Sequence, residues 1–252
     1  AKPAAKTRTR KTTTAAKSTT PRAKGTAYLR VLHALSGAPS ADVFVGSNKL
    51  FSATQFKRLS DYLPVSSGRH QLRFKNSETS AAILEAPRTF SRDKYYTAVI
   101  SGSVAKPSVF VLNDSSGKAV AGKAKVRVIH LAPDLPALNL TMPSTRAKNG
   151  FTTWRSNLTF GKSALLTRAP GTFTLQLRTT DDKMLREVPN VVIEADKRYS
   201  VFAIGQPIVG GVQALDVIVA SGAPNVVTAP AAPTASATSV APASATTTST
   251  SV

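Results

Sequence analysis

A chain of 252 residues with 33 Lys and Arg against 13 Asp and Glu carries a formal charge of +20 at neutral pH and contains no cysteine. The missing cysteine excludes disulfide scaffolds, thiolate metal sites and thiol nucleophiles, and no apolar run approaches the roughly 20 residues that a bilayer-spanning helix needs. The length suits one large domain or two ordinary ones, and the charge favours nucleic acid, anionic glycans or anionic lipid without choosing among them.

Residues 1–26 open on Ala and carry Lys2, Lys6, Arg8, Arg10, Lys11, Lys17, Arg22 and Lys24 with no acidic residue. An initial Ala in place of Met reads as removal of a leader peptide or as a trimmed chain. This segment is too poor in apolar side chains to build a core. Three roles stand open to it: holding a polyanion, acting as a solvated spacer, or pairing with a neighbouring subunit. Without its eight cations the remainder still holds 25 basic and 13 acidic residues, so the body is itself basic.

From residue 27 onward the chain reads as strands. "LRVLHALSGAPSADVFV" (29–45) returns as "VRVIHLAPDLPALNLTM" (126–142), pairing Arg30 with Arg127, His33 with His130, Pro39 with Pro136 and Asp42 with Asn139. In "RHQLRFK" (69–75) His70, Leu72 and Phe74 alternate with polar residues, and "TFTLQLR" (172–178) repeats this with Phe173, Leu175 and Leu177. A period of two marks a half-buried strand. Asp-Lys turns then lead into "YYTAVISG" and "RYSVFAIG", which end on Gly102 and Gly205. Prolines and glycines recur at strand-length spacing, and no capped helix-period segment is present.

These signals predict an all-β protein of two tandem antiparallel β-sandwich domains of immunoglobulin-like size. The first spans 27–113 and the second 124–220, joined by a small polar linker, 114–123. Extended tails occupy 1–26 and 221–252, the latter rich in Ala, Ser, Thr and Pro and free of charge. Each sandwich is expected to have its own core. Val31, Val43, Leu72, Phe74 and Tyr96 fill the first, and Val128, Phe173, Leu175, Leu177 and Tyr199 the second.

The segments "RVLHALSGAPSADVFVG", "SDYLPVSSGRHQLRF" and "DKYYTAVISG" resemble the domain-of-unknown-function 4397 family, with its Arg-Val-x-His strand, Ala-Pro-x-x-Asp turn, Tyr-Leu-x-Val-x-x-Gly segment and closing Tyr-Thr strand. The second half resembles it more loosely, with Asn139 in place of Asp42 and Leu165 in place of Tyr62. Two tandem copies are implied, covering about three quarters of the chain and neither tail. The resemblance implies a secreted or surface-attached β-domain without an established catalytic activity.

Candidate chemistry is thin. His33 and His130 recur at one place in both repeats, which suits a fold-determining residue bonded to the following turn better than a base or metal ligand. "FGKS" (160–163) lacks the earlier glycine of a phosphate loop, since Ser156 stands there. "SGS" (101–103) has no catalytic histidine within the pattern and no nucleophile elbow. Trp154, Phe151 and Phe160, interleaved with Arg155, lie in a segment of the second half with no counterpart in the first. Trp154, Arg155 and Phe151 are candidates for a stacking platform or for a core cap. Asn113, Asn139 and Asn157 head glycosylation sequons.

No enzyme activity, metal or cofactor is expected. The chain reads as a secreted structural protein of the cell surface, filament or matrix that associates with itself through tail or edge-strand contacts. The alternative is a polyanion binder, of nucleic acid or anionic glycan, acting through the basic arm.

Overall fold

The computed structural model describes residues 25–115, 120–208 and 210–222. The eight basic residues of the N-terminal arm and nearly all of the uncharged tail lie outside them. The first repeat holds eight strands: β1 (Thr26–His33), β2 (Ala41–Val45), β3 (Asn48–Thr54), β4 (Leu63–Ser66), β5 (Gly68–Asn76), β6 (Ala82–Phe90), β7 (Tyr95–Ser103) and β8 (Lys106–Asn113). The second repeats them as β9 (Ala124–His130), β10 (Leu138–Pro143), β11 (Phe151–Leu158), β12 (Ser163–Arg168), β13 (Gly171–Thr179), β14 (Met184–Ile193), β15 (Arg198–Ile204) and β16 (Asp216–Ser221).

Each repeat is a sandwich of two four-stranded sheets. The outer sheets run β3-β2-β5-β6 and β11-β10-β13-β14; the inner sheets run β4-β1-β7-β8 and β12-β9-β15-β16. Pairing is antiparallel except for one parallel pair in each inner sheet, β1 with β7 and β9 with β15. In each repeat the chain passes through the outer sheet before returning beside its first strand. That crossover, which the alternating pattern did not reveal, lets the two strands run the same way.

Every residue expected in the first core is buried, with Val31, Val43 and Leu72 at 0% exposure. In the second, Val128, Leu175, Leu177 and Tyr199 are buried, while Phe173 is half-buried and meets Trp154 edge-on at 5.0 Å between ring centroids. Turn chemistry repeats as well. Asp93 and Asp196 adopt left-handed φ of 58° and 60°, a conformation that short polar side chains tolerate.

Among the described residues the cores number three rather than two. Leu32, Ala34, Val99, Ile129, Leu131, Phe202 and Ile204 form a cluster drawn from both repeats, with Leu59, Phe110, Leu112, Ile218 and Ala220 packed against it. The inner sheets therefore lie face to face, and the molecule is a stack of four sheets. The central cluster explains "YYTAVISG" and "RYSVFAIG". Strands covered on both faces read as continuous apolar runs instead of alternating ones, and Thr97–Gly102 and Tyr199–Gly205 are buried throughout.

The seam is also closed by polar ties. Lys57 pairs with Asp216 at 3.2 Å, Ser36 Oγ donates to Gln213 Oε1 at 3.0 Å, and Ser101 Oγ donates to the Leu131 carbonyl at 2.7 Å. The "FGKS" turn belongs here. Gly161, at φ 74°, sits where a Cβ would come within 2.8 Å of the Phe110 ring of the other repeat. The turn joins β11 to β12 and leads into no helix.

Candidate functional site at the seam between the repeats

The repeated histidines are sealed. His33 Nε2 lies 3.0 Å from the Pro39 carbonyl and His130 Nε2 lies 3.0 Å from the Pro136 carbonyl, and both residues are 0% exposed. A carbonyl only accepts, so Nε2 carries the proton in each ring. His130 Nδ1 then accepts the Ala132 N–H at 3.2 Å. Phe56 and Phe160 stand edge-on to the two rings, each at 6.3 Å. Phe160 is thus the counterpart of Phe56, and the second repeat carries its extra length in the β10–β11 and β15–β16 connections. Such histidines pin the strand to its turn and cannot meet a substrate.

Their burial carries a pH dependence. Desolvation, opposed by the backbone hydrogen bonds, holds both imidazoles below the ordinary value of 6.5. The folded state then prefers the neutral ring while the unfolded chain takes up protons below about 6.5. Stability is complete above that pH and falls as pH drops beneath it. Denaturant midpoints measured at pH 7.5 and 5.5 should show the decline, and replacing both histidines with Gln should flatten it.

The remaining candidates are dispersed. Trp154 and Phe151 are buried at 7% and 6% exposure, with Arg168 over the Trp154 ring and Arg178 over the Phe151 ring. Arg155 points outward from the same strand. The three share no exposed face: Trp154 packs into the sandwich core, whereas Phe151, three residues away and outside that core, is covered by Arg178. His70 is half-buried and stacks on Phe90. Ser103 accepts the Lys106 N–H within the β7–β8 turn. Asn139 is buried and bonds Thr179 and Asn157. Among the described residues, no group of three or more His, Cys, Asp or Glu is placed to hold a metal ion.

What the structure does assemble is a polar network on Asp114, a residue of the segment read as a linker. Its carboxylate accepts the Tyr62 hydroxyl at 2.8 Å, the Thr97 hydroxyl, and Arg127 Nη1 of the second repeat at 2.9 Å. Arg30 donates to Thr97 at 2.8 Å and to the Ser221 carbonyl at 3.2 Å, and its guanidinium lies 4.6 Å from the Tyr62 ring centroid. The side chains of Arg30, Arg127 and Asp114 are 5%, 10% and 3% exposed. One buried carboxylate therefore serves the matching arginines of both repeats. Burial and then the Asp114 charge push the Tyr62 hydroxyl well up, so it remains a donor.

The two ends of the seam differ although the backbone repeats. In the first repeat Tyr28 stacks on Tyr95 at 4.6 Å, and Tyr62 meets Tyr95 edge-on at 5.3 Å. Cross-strand pairing places Lys125, Arg198 and Leu165 at these positions of the second repeat. There, Asp114, Lys125, Arg127, Leu165, Arg198 and Gly222 line a shallow basic notch. Where one repeat buries its arginine under tyrosines, the other surrounds it with cations and an exposed leucine. A second, open groove of about 260 Å³ lies along β3 and the following turn, lined by Phe51, Thr54, Gln55 and Arg58 among others.

Residues 27–141 match the family described as "Domain of unknown function (DUF4397)". This segment belongs to the DUF4397 family. The match is single where the sequence led us to expect two copies, and it runs through the first sandwich, across the seam and into β10. The DUF4397 segment thus holds Arg30, Tyr62, Thr97, Asp114 and Arg127, the side chains of the buried network, while the Ser221 carbonyl that Arg30 reaches lies outside it. No curated protein matches the chain. Among solved structures, the chain is similar to the Bacillus anthracis TIE protein at 8% identity and a TM-score of 0.25, covering 71% of this chain and 34% of that one. It is also similar to CBMbc, of family CBM26, from Eubacterium rectale Amy13K in complex with maltoheptaose, at 12% identity and a TM-score of 0.26, covering 79% and 98%. The chain spans about a third of the length of the first of these. Likenesses of this degree say nothing about activity.

Proposed function

We propose that this chain is a secreted, non-enzymatic structural protein of the cell surface, an extracellular filament or a matrix, and that it associates with its own copies through sheet edges and tail segments. The observation that carries this reading is the layered stack. Two sandwiches fused through their inner sheets leave every sheet an open one, with eight edge strands around the perimeter. An edge strand offers unpaired peptide groups to an extended segment, and main-chain bonding of that kind is largely blind to side-chain identity. Contacts from the tail of one copy to the edge of the next are head-to-tail, and they propagate as a fibre when they do not close. A body stiffened across its seam suits a load-bearing unit.

Electron microscopy and sedimentation velocity of the intact chain are the test, beside truncations lacking residues 1–25 or 223–252. Filaments or sheets lost in at least one truncation are expected. A monodisperse monomer at high concentration in several buffers would remove the reading.

A second reading rests on the charge. The arm's eight cations and the basic notch favour a polyanion, and binding through the arm would be sequence-blind, with log K falling by about 0.9 per neutralised phosphate against log salt. A gel shift that is absent at low salt, or unchanged on deleting residues 1–25, would sink it.

A further inference from the structure

The eight edge strands are not equally open. Proline interrupts four of them, at Pro64 in β4, Pro87 in β6, Pro107 in β8 and Pro189 in β14. Register breaks interrupt the pairing of β3, β6, β11 and β14 with their neighbours. Prolines and bulges are the devices that keep an edge from pairing with another chain. Only β12 and β16 have neither.

Side chains from elsewhere hold β16. Arg30 bonds the Ser221 carbonyl at one end, and Lys57 and Arg186 hold Asp216 at the other. On β12 the side-chain ties are Lys125 Nζ to Thr167 Oγ1 at 2.8 Å and Arg168 Nη2 to the Trp154 carbonyl at 2.9 Å, and neither engages the strand's outward peptide groups. Its register with β9 is unbroken over six residues, and Ser163, Leu165 and Thr167 are exposed. Their peptide groups face outward. The His130 N–H donates to the Lys162 carbonyl opposite it, so the bonded pairs of the ladder continue at Ala164, Leu166 and Arg168. Lys125, opposite Thr167, donates its own N–H away from β12, to the Lys197 carbonyl. In the first repeat the residue paired at this place is Pro64, opposite Tyr28, whose N–H likewise turns away to the Lys94 carbonyl. One repeat closes this edge with a proline, and the other leaves it open with a threonine.

We infer that β12 is the acceptor edge for self-association and that its occupant is the uncharged C-terminal segment, residues 243–252, of a second copy, entering as an added strand. This rests on the assembly proposed above and decides between its two tails. Charge chooses the donor. Around β12 stand Lys125, Arg127, Lys162, Arg168 and Arg198 with Asp114 the one carboxylate lining the notch, so an arm of eight cations and no acid is repelled there. "ASATTTSTSV" (243–252) has no charge. It is also the longest proline-free run after Gly222, long enough to span the six residues of β12, and rich in β-branched Thr.

Sedimentation velocity of three chains tests this: the intact protein, Thr167→Pro, and a deletion of 243–252. Pro64 shows that this sheet position accepts proline, and an unchanged far-ultraviolet spectrum and Trp154 fluorescence would establish that the variant is folded. A folding-neutral measurement accompanies it. In a chain without cysteine, mixing Leu165→Cys protein with Thr247→Cys protein under mild oxidation should yield a crosslinked heterodimer. Association of the intact chain, its loss in both variants and the crosslink are the expected results. If the intact chain associates and Thr167→Pro does so equally, or if no crosslink forms, β12 is not the acceptor, while the assembly reading survives. If the deletion still associates, the donor is not this segment. If the intact chain does not associate at all, the function proposed above fails and this assignment with it.

Discussion

Replacing Asp114 with Ala should cost about 3–5 kcal/mol of folding stability, the scale expected when one partner of a buried ion pair is removed. The carboxylate is 3% exposed and accepts from Tyr62, Thr97 and Arg127 while lying 3.9 Å from Arg30 Nε. Its loss removes the carboxylate that stands beside two buried guanidiniums. Asp114→Asn keeps a carbonyl acceptor and removes only the charge, so a smaller loss is expected. Adding Arg127→Met to Asp114→Ala should recover part of the stability, because an uncharged side chain needs no partner. Urea denaturation of these proteins, with Arg127→Met alone added to close the cycle, measures the coupling. An Asp114→Ala loss below about 1 kcal/mol, the size of an exposed pair, would contradict the network.

Phe202→Ala should be comparably damaging, at about 3–5 kcal/mol. Its side chain is fully buried between the inner sheets beside Leu32, Val99 and Ile129, and a cavity there cannot fill without moving one sandwich against the other. The contrast is with Leu165, 43% exposed on the same inner sheet, where truncation to Ala should change stability by no more than about 0.5 kcal/mol. If Phe202→Ala behaved like Leu165→Ala, the central cluster would be a loose contact instead of a core.

The same residues mark how far the sequence could be read. The repeat, the Asp-Lys turns and the alternation of β5 and β13 are local patterns, and they yield the strands and the two sandwich cores directly. The third core was also written in the chain, in a form easily read past. Val99 and Phe202 interrupt what a half-buried strand should show, because apolar residues occupy both faces of β7 and β15. Two-sided burial was the signal for a stacked sheet. Asp114 was hidden differently. Its role depends on where the chain turns after β8, and nothing in "NDSSGK" distinguishes a buried counter-ion from a solvated linker residue. Trp154 and Phe151 read as a stacking platform until strand alternation is laid over β11, which separates them: Trp154 enters the sandwich core and Phe151 lies under Arg178. The replacement of Tyr62 by Leu165 was legible in the repeat, but that Tyr28, Tyr62 and Tyr95 form one cluster, answered by Lys125, Leu165 and Arg198, emerges only with the cross-strand register.

The basic notch and the open β12 edge both lie on the second repeat, at the end of the seam where the first repeat has tyrosines and Pro64. Pro64 at one of two corresponding edges and Thr167 at the other leave the two edges unequal. A single acceptor for each chain suits a linear polymer, whereas two would branch it.

All of this requires that the two repeats behave as one body. Trp154 is the sole tryptophan and reports on the second repeat alone, whereas the far-ultraviolet signal reports on all sixteen strands. Equilibrium urea unfolding followed by both probes is therefore the direct test. Coincident transitions with one midpoint are predicted, since the central cluster and the Asp114 network tie the unfolding of each repeat to that of the other. A tryptophan transition displaced from the far-ultraviolet one, or a far-ultraviolet curve with two steps, would show that the sandwiches unfold independently and that the seam does not join them.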